Sequence, residues 1–148
     1  MIIPRRPTEY WVRLIAVDTD DRILLVGEER PGTAPRWTLP GVRRRPDESA
    51  EGTADSLLAD LALPATEPGP RHPHRRTVSS VVAGEVTRHE EFLFVVRLRR
   101  PGPPRHGAHW CTLPELSAPT GPALPPDLAD HVSEILDGPV PVGRAPTD

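Results

Sequence analysis

Lysine, asparagine and glutamine are absent from this 148-residue chain, and all 18 of its basic residues are arginine. That bias, with 21 prolines, fits a high-GC coding sequence. It lowers what an arginine run or a proline-rich stretch signifies, because no lysine is available to fill ordinary solvated positions. The single cysteine, Cys111, excludes an intrachain disulfide and reads beside Trp110 as a small core residue. No apolar N-terminal segment of signal-peptide type and no apolar run of membrane length is present, so a soluble, cytoplasmic protein is expected. A net charge of -3 and a pI near 6.1 give no electrostatic reason to expect nucleic acid or an anionic membrane as partner. Neither a Gly-rich phosphate loop nor a nucleophile elbow with Ser-His-Asp order is present. His72, His74, His106 and His109 lack C-x-x-C or H-E-x-x-H spacing and read as loop histidines, not a zinc site.

What is present suffices for one domain over 1–148, since a chain of this length buries about 70% of its unfolded surface. There is no internal repeat. Tyr10 to Val17 and Arg22 to Val26 read as strands around the turn cluster Asp18-Thr19-Asp20-Asp21. Gly27 to Pro35 is a loop, and Trp37-Thr38-Leu39 is a short extended piece leading into Pro40-Gly41. Asp47 or Ser49 can cap a helix over about Ala50 to Leu61, where Ala54, Leu57, Leu58 and Leu61 repeat at i, i+3, i+4 and i+7. The helix must stop before Pro64, and residues 64–74 carry four prolines and form a surface loop. Thr77 to Val86 and His89 to Leu98 read as strands around Thr87-Arg88. The second is apolar on both faces, as a central strand is. Trp110 to Leu116 is a short strand entering a turn, and Pro126 to Leu136 is a terminal helix buried through Leu128, Val132, Ile135 and Leu136, stopped by Gly138.

This order of elements predicts a mixed sheet sandwiched by helices. With Trp37-Thr38-Leu39-Pro40-Gly41, Glu48 and the apolar helix from Ala54 to Leu63, the chain resembles the Nudix superfamily over about residues 10–137. The resemblance implies an α/β (α+β) fold, an α/β/α sandwich whose mixed sheet is flanked by the box helix and a C-terminal helix. The family pattern G-x5-E-x7-R-E-U-x-E-E-x-G-U, with U bulky and apolar, aligns without a gap from Val42. Glu48 and Leu58 match, and Asp60 replaces one metal-binding Glu. Val42, Ser56, Leu57, Leu61, Leu63 and Pro64 depart from the pattern.

Hydrolysing a diphosphate at neutral pH calls for Mg2+ to neutralise phosphate oxygens and activate water, and the family holds it with carboxylates at i, i+3 and i+4 of the box helix. Here that face reads Leu57, Asp60, Leu61, and leucine cannot ligate a hard cation. The resemblance makes Glu48, Asp60, Glu90 and Glu91 the candidate catalytic carboxylates. Glu48 and Asp60 are the candidate Mg2+ ligands, and Mg2+ is the only cofactor implied. One of Glu90 and Glu91 must face the box helix because strand side chains alternate. Arg36, Trp37, Arg43, Arg45, Leu57 and Leu61 are candidate ligand contacts: Arg43-Arg44-Arg45, with Arg30 and Arg36 nearby, as a phosphate clamp or a solvated turn, and Leu57, Leu61 and Trp37 as an apolar cleft floor or simply core.

Three functions fit. One is a Nudix-fold protein with a degraded metal site that binds a small-molecule, phosphorylated or nucleotide-like ligand, or runs a repurposed metal-independent reaction in a biosynthetic pathway. The second is a divergent Mg2+-dependent hydrolase of a nucleoside diphosphate linked to another moiety. The third is a non-catalytic regulatory module that dimerises, and the family habit implies a homodimer in any case.

Overall fold

The first strand, β1 (Glu9–Val17), sets the architecture because it is apolar on both faces: Val12, Leu14 and Ala16 point one way and Ile15 and Val17 the other, all buried. The computed structural model describes residues 8–28, 36–67, 69–82, 84–118, 124 and 127–137. In order after β1 come β2 (Arg22–Glu28), β3 (Arg36–Thr38), β4 (Gly41–Arg43), α1 (Ala50–Asp60), β5 (His74–Val82), β6 (Glu85–Arg97), β7 (Ala108–Thr112), α2 (Leu113–Ser117) and α3 (Leu128–Asp137).

The sheet is mixed. Its strands run in the order β3-β2-β1-β6-β5, with β4 added to β1 and β7 to β2. β1 and β6 pair in parallel from Glu9↔His89 to Val17↔Arg97, and the other pairs are antiparallel. Two apolar cores lie on its two faces. One packs Val12, Leu14, Ala16, Leu24, Phe94 and Val96 against Ala50, Ala54 and Leu57 of α1. The other packs Ile15, Val17, Ile23, Leu25, Leu93 and Cys111 against Leu128, Val132 and Ile135 of α3. This is the expected mixed sheet flanked by helices.

Ser49, not Asp47, caps α1: its side chain accepts from the Gly52 N–H at 3.0 Å. The helix ends at Leu61 because Ala62 turns to a φ of 52°, and Pro64 cannot extend it.

Three expectations need correction. The β5–β6 turn is not at Thr87-Arg88, which pair with Ser80 and Ser79; the ladder runs on to Val82↔Glu85, and Gly84 there takes a φ of 81°. The segment after Pro40 forms β4, which adds to β1 through Val12↔Val42. The turn after β7 is the helix α2, nucleated by a reciprocal cap in which Thr112 and Glu115 satisfy each other's backbone N–H. The proline-rich segment 64–73 makes one bridge, Ala65↔Leu98. Pro126, Gly138 and Pro31-Gly32 lie outside the described residues.

Candidate functional site

The box helix presents few oxygens. Leu57 is 6% exposed inside the α1-side core, and Leu61 packs on the same core, so both serve the helix's buried stripe. Asp60 is exposed in the last turn. Glu48 stands at the other end, where its carboxylate accepts from the Thr53 hydroxyl at 2.7 Å. Thr53 to Asp60 is about 10 Å along the axis at 1.5 Å per residue. Mg2+ takes its oxygens at about 2.1 Å, so Glu48 and Asp60 do not close on one ion. Ser56, at the pattern's arginine position, is exposed, and the side chain that meets Glu48 is Thr53.

The acidic pair on β6 is divided between the faces of the sheet. Glu90 lies on the α1 side with Phe92 and Phe94 and pairs with Arg75 at 3.3 Å. Glu91 lies on the other side, 7% exposed, between Arg13 Nε at 2.7 Å and Arg76 Nε at 3.8 Å. Arg13 also donates from Nη1 to the Leu39 carbonyl at 3.0 Å and lies over the Trp11 ring. A Cβ on Gly41 would come within 2.8 Å of the Arg13 side chain, so the glycine makes room for that guanidinium. Two cations thus hold Glu91, which is a braced carboxylate and not a free ligand. Among the described residues, no group of three or more His, Cys, Asp or Glu side chains converges in a way that could hold a metal ion.

The loop after β4 builds a different surface. Arg43 at the end of β4 and Arg44, Arg45 and Pro46 after it, with Thr8 just before the first strand and Glu9 and Tyr10 at its start, line a cavity of about 570 Å3. Arg44 lies over the rings of Tyr10 (4.8 Å to the centroid) and Phe92 (5.7 Å), and Arg75 lies over the same Phe92 (5.1 Å). Arg43 Nη2 is 3.6 Å from Glu9, and Arg45 is exposed.

The remaining candidates are dispersed. Trp37 packs on the α3-side core and meets the His109 ring at 5.6 Å, across the sheet from Leu57 and Leu61, so these three do not form one cleft. Arg36 opens β3 opposite Glu28, and Arg30 lies outside the described residues. His72 and His106 are exposed. His74 is lowered in pKa, first by burial and then by the charge of His131. Burial, then the charge of Glu115, pushes the Cys111 thiol up, as befits an inert core residue.

Arg13, Arg76, Tyr10, Phe92 and Asp18 were not singled out from the sequence. Arg13 alone gave a signal, a lone charge inside the apolar run Tyr10 to Val17. Asp18 looked like a turn residue, yet its carboxylate is buried and takes hydrogen bonds from the Asp20, Arg22 and Gly102 N–H groups and from Arg22 Nε. Burial alone would raise its pKa. The hydrogen bonds from Gly102 and Arg22 outweigh that and leave it lowered.

No protein-family model and no curated protein matches the sequence. Solved structures do. A MutT mutator protein from Bacillus halodurans superposes with a TM-score of 0.61 at 16% identity, over 90% of this chain and 85% of that one. The ORF135 protein of E. coli gives 0.56 at 20% identity over 87% and 89%. A NUDIX hydrolase from Nitrosomonas europaea gives 0.52 at 20% identity over 86% and 87%. Likeness at these identities speaks to architecture, and it agrees with the mixed sheet between α1 and α3: the chain has the Nudix fold.

Proposed function

We propose that this chain is a Nudix-fold protein that has given up metal-dependent diphosphate hydrolysis and holds a small anionic ligand, phosphorylated or nucleotide-like, at the arginine-rich end of its sheet. The observation that carries the proposal is Leu57. At the position where the family pattern puts a metal-binding glutamate, a leucine is sealed into the core, and a buried leucine neither ligates Mg2+ nor turns outward at low cost. Asp60 is then the one acid left on that helix face, and Glu48, Glu90 and Glu91 are each engaged elsewhere. Mg2+ does not fit the donors present among the described residues. Any reaction run here would rest on arginine and carboxylate groups, as in a metal-independent rearrangement of a phosphorylated metabolite. The reading includes a cytoplasmic setting and a homodimer; among the described residues no helix is long and apolar enough to cross a membrane.

The test is hydrolysis of nucleoside di- and triphosphates, ADP-ribose and dinucleoside polyphosphates with Mg2+, Mn2+ or EDTA. No metal-dependent product and no metal-dependent rise in Tm is the expected result. Turnover that requires the metal and disappears in Asp60→Asn would refute the proposal.

A further inference from the structure

β5 is the outer strand of the sheet. It pairs with β6 on one side, and among the described residues nothing pairs with its other side, which leaves an open row of backbone N–H and C=O groups. The ladder with β6 runs without a bulge from His74↔Leu93 to Val82↔Glu85, and its last four pairs, from Ser79↔Arg88 on, lie past the end of β1 at Glu9↔His89. At about 3.3 Å per residue, those four pairs make a two-stranded arm that projects about 13 Å beyond β1. Two strands alone are marginal in water, and a third is what makes such an arm stable. Sheet proteins blunt a free edge with charge, proline or a bulge. Thr77-Val78-Ser79-Ser80-Val81-Val82 carries none of these. The two charges further back on the strand, Arg75 and Arg76, are countered inside the sheet by Glu90 at 3.3 Å and Glu91 at 3.8 Å, so they do not guard the edge.

We infer that the β5 edge is the interface with a second copy of this chain, the two β5 strands pairing antiparallel about a two-fold axis at Val78. Val78 is the middle of the nine residues, so full overlap sets it opposite its own copy and sets Thr77 opposite Ser79 of the partner subunit. This arrangement answers each observation. The projecting half of each strand, 79–82, is laid along the rooted half, 74–77, of the other, and each arm gains its third strand. Arg75 and Arg76 then lie opposite uncharged positions, where parallel pairing in register would set arginine against arginine. The contact is also closed: it uses both free β5 edges and leaves neither to recruit a further copy. A copy of the same chain supplies the matching length, direction and charge pattern by symmetry alone. The inference rests on the homodimer included in the function proposed above and deepens it by naming the surface that forms it.

The experiment is sedimentation velocity on the full chain over a wide range of concentration, beside two double variants, Thr77→Lys with Ser79→Lys and Thr77→Lys with Ser79→Glu. Both positions are exposed, so the monomer's fold is expected to stand, with Tm as the check. The wild type is expected to pass from monomer to dimer as concentration rises. The first double variant sets lysine against lysine at two places across the axis and is expected to raise the dimer Kd by about tenfold or more. The second sets lysine against glutamate at the same two places and is expected to dimerise at least as tightly as the wild type. Loss of the dimer in both double variants would overturn the antiparallel register, and species that keep growing past the dimer would overturn the closed two-fold. A dimer that neither variant perturbs would overturn this interface and leave the homodimer standing on another surface. A monomer at every concentration would leave the edge to a strand of another protein and overturn both ideas together.

Discussion

Thr53 Oγ1 lies 2.7 Å from Glu48 Oε1 and 3.0 Å from the Ser49 carbonyl, so its single proton ties the one matching box glutamate to the first turn of the box helix. Thr53 is 2% exposed, and its hydroxyl has nowhere else to turn. Thr53→Val keeps the shape and removes the donor. It is expected to cost about 1 kcal/mol in urea unfolding, and the double variant with Glu48→Gln to cost less than the sum of the singles. Additive losses would mean that the pair is a geometric accident.

Leu57 and Leu61 can be tested by giving the helix back its acids. Leu57→Glu loses a buried leucine and is expected to destabilise by about 2–5 kcal/mol from packing alone, while Leu61→Glu, at a partly buried position, costs less. The double variant sets three carboxylates at 57, 60 and 61 and is expected to gain a Tm rise with Mn2+ that the wild type lacks. The same rise in the wild type would show that the native residues already bind the ion.

How much of this was readable follows from what each signal depends on. The α1 stripe and the two-faced strands β1 and β6 are set by periodic burial, and they appear in the sequence as apolar spacing. The β5–β6 turn is misplaced because the ladder from Ser79↔Arg88 to Val82↔Glu85 lies beyond the end of β1 at Glu9↔His89. With no third strand beside them to fix the register, Thr87-Arg88 reads as a break. That one of Glu90 and Glu91 faces the box helix followed from alternation, but which one depends on the parallel register with β1, a long-range choice. Arg44 was visible only as part of an arginine run. The rings that it lies over come from β1 and β6, both far from it along the chain.

Arg13, Glu91 and Arg76 form an ion cluster whose loss should not be symmetrical. Glu91→Gln leaves two arginines facing each other with side chains only 19% and 16% exposed, and an expected cost of about 3 kcal/mol follows from uncompensated buried charge. Arg13→Met leaves Arg76 in place and should cost less. Arg13→Met with Glu91→Leu should recover part of the loss, since an apolar pair carries no desolvation penalty. Urea melts of the three variants decide it, and a double variant less stable than either single would contradict the cluster's assigned role.

Asp18 ties the β1–β2 turn to the 101–107 loop by accepting from Gly102 N–H at 2.8 Å, and Gly102 itself has no room for a side chain: a Cβ there would sit 2.2 Å from the Trp110 ring. Gly102→Ala is expected to destabilise by about 1–3 kcal/mol through overpacking. The folded-state pKa of Asp18 is lowered from its ordinary 3.8, so the unfolded chain takes up the proton first as pH falls. Its stabilising contribution is complete above about pH 3.8 and is lost below it, down through the folded value. Asp18→Asn should be less stable than the wild type at neutral pH, with the gap closing in acid. A gap that persists unchanged in acid would rule out the carboxylate as its source.

His74 works in a higher window. Burial first, and the neighbouring charge of His131 second, lower its pKa below the ordinary 6.5, so at mildly acidic pH the unfolded chain binds a proton that the folded chain refuses. Stability from this residue is therefore present above about pH 6.5 and falls away as pH drops from there toward the folded value. Unfolding free energies measured between about pH 7.5 and about pH 5.5 should decline, and the decline should shrink in His74→Phe, which cannot titrate. His131→Gln removes the second cause alone and is expected to move the His74 titration, followed by NMR, part of the way back up. If His74 titrates at 6.5 or above in the native protein, β5 and α3 do not shield it as the structure indicates.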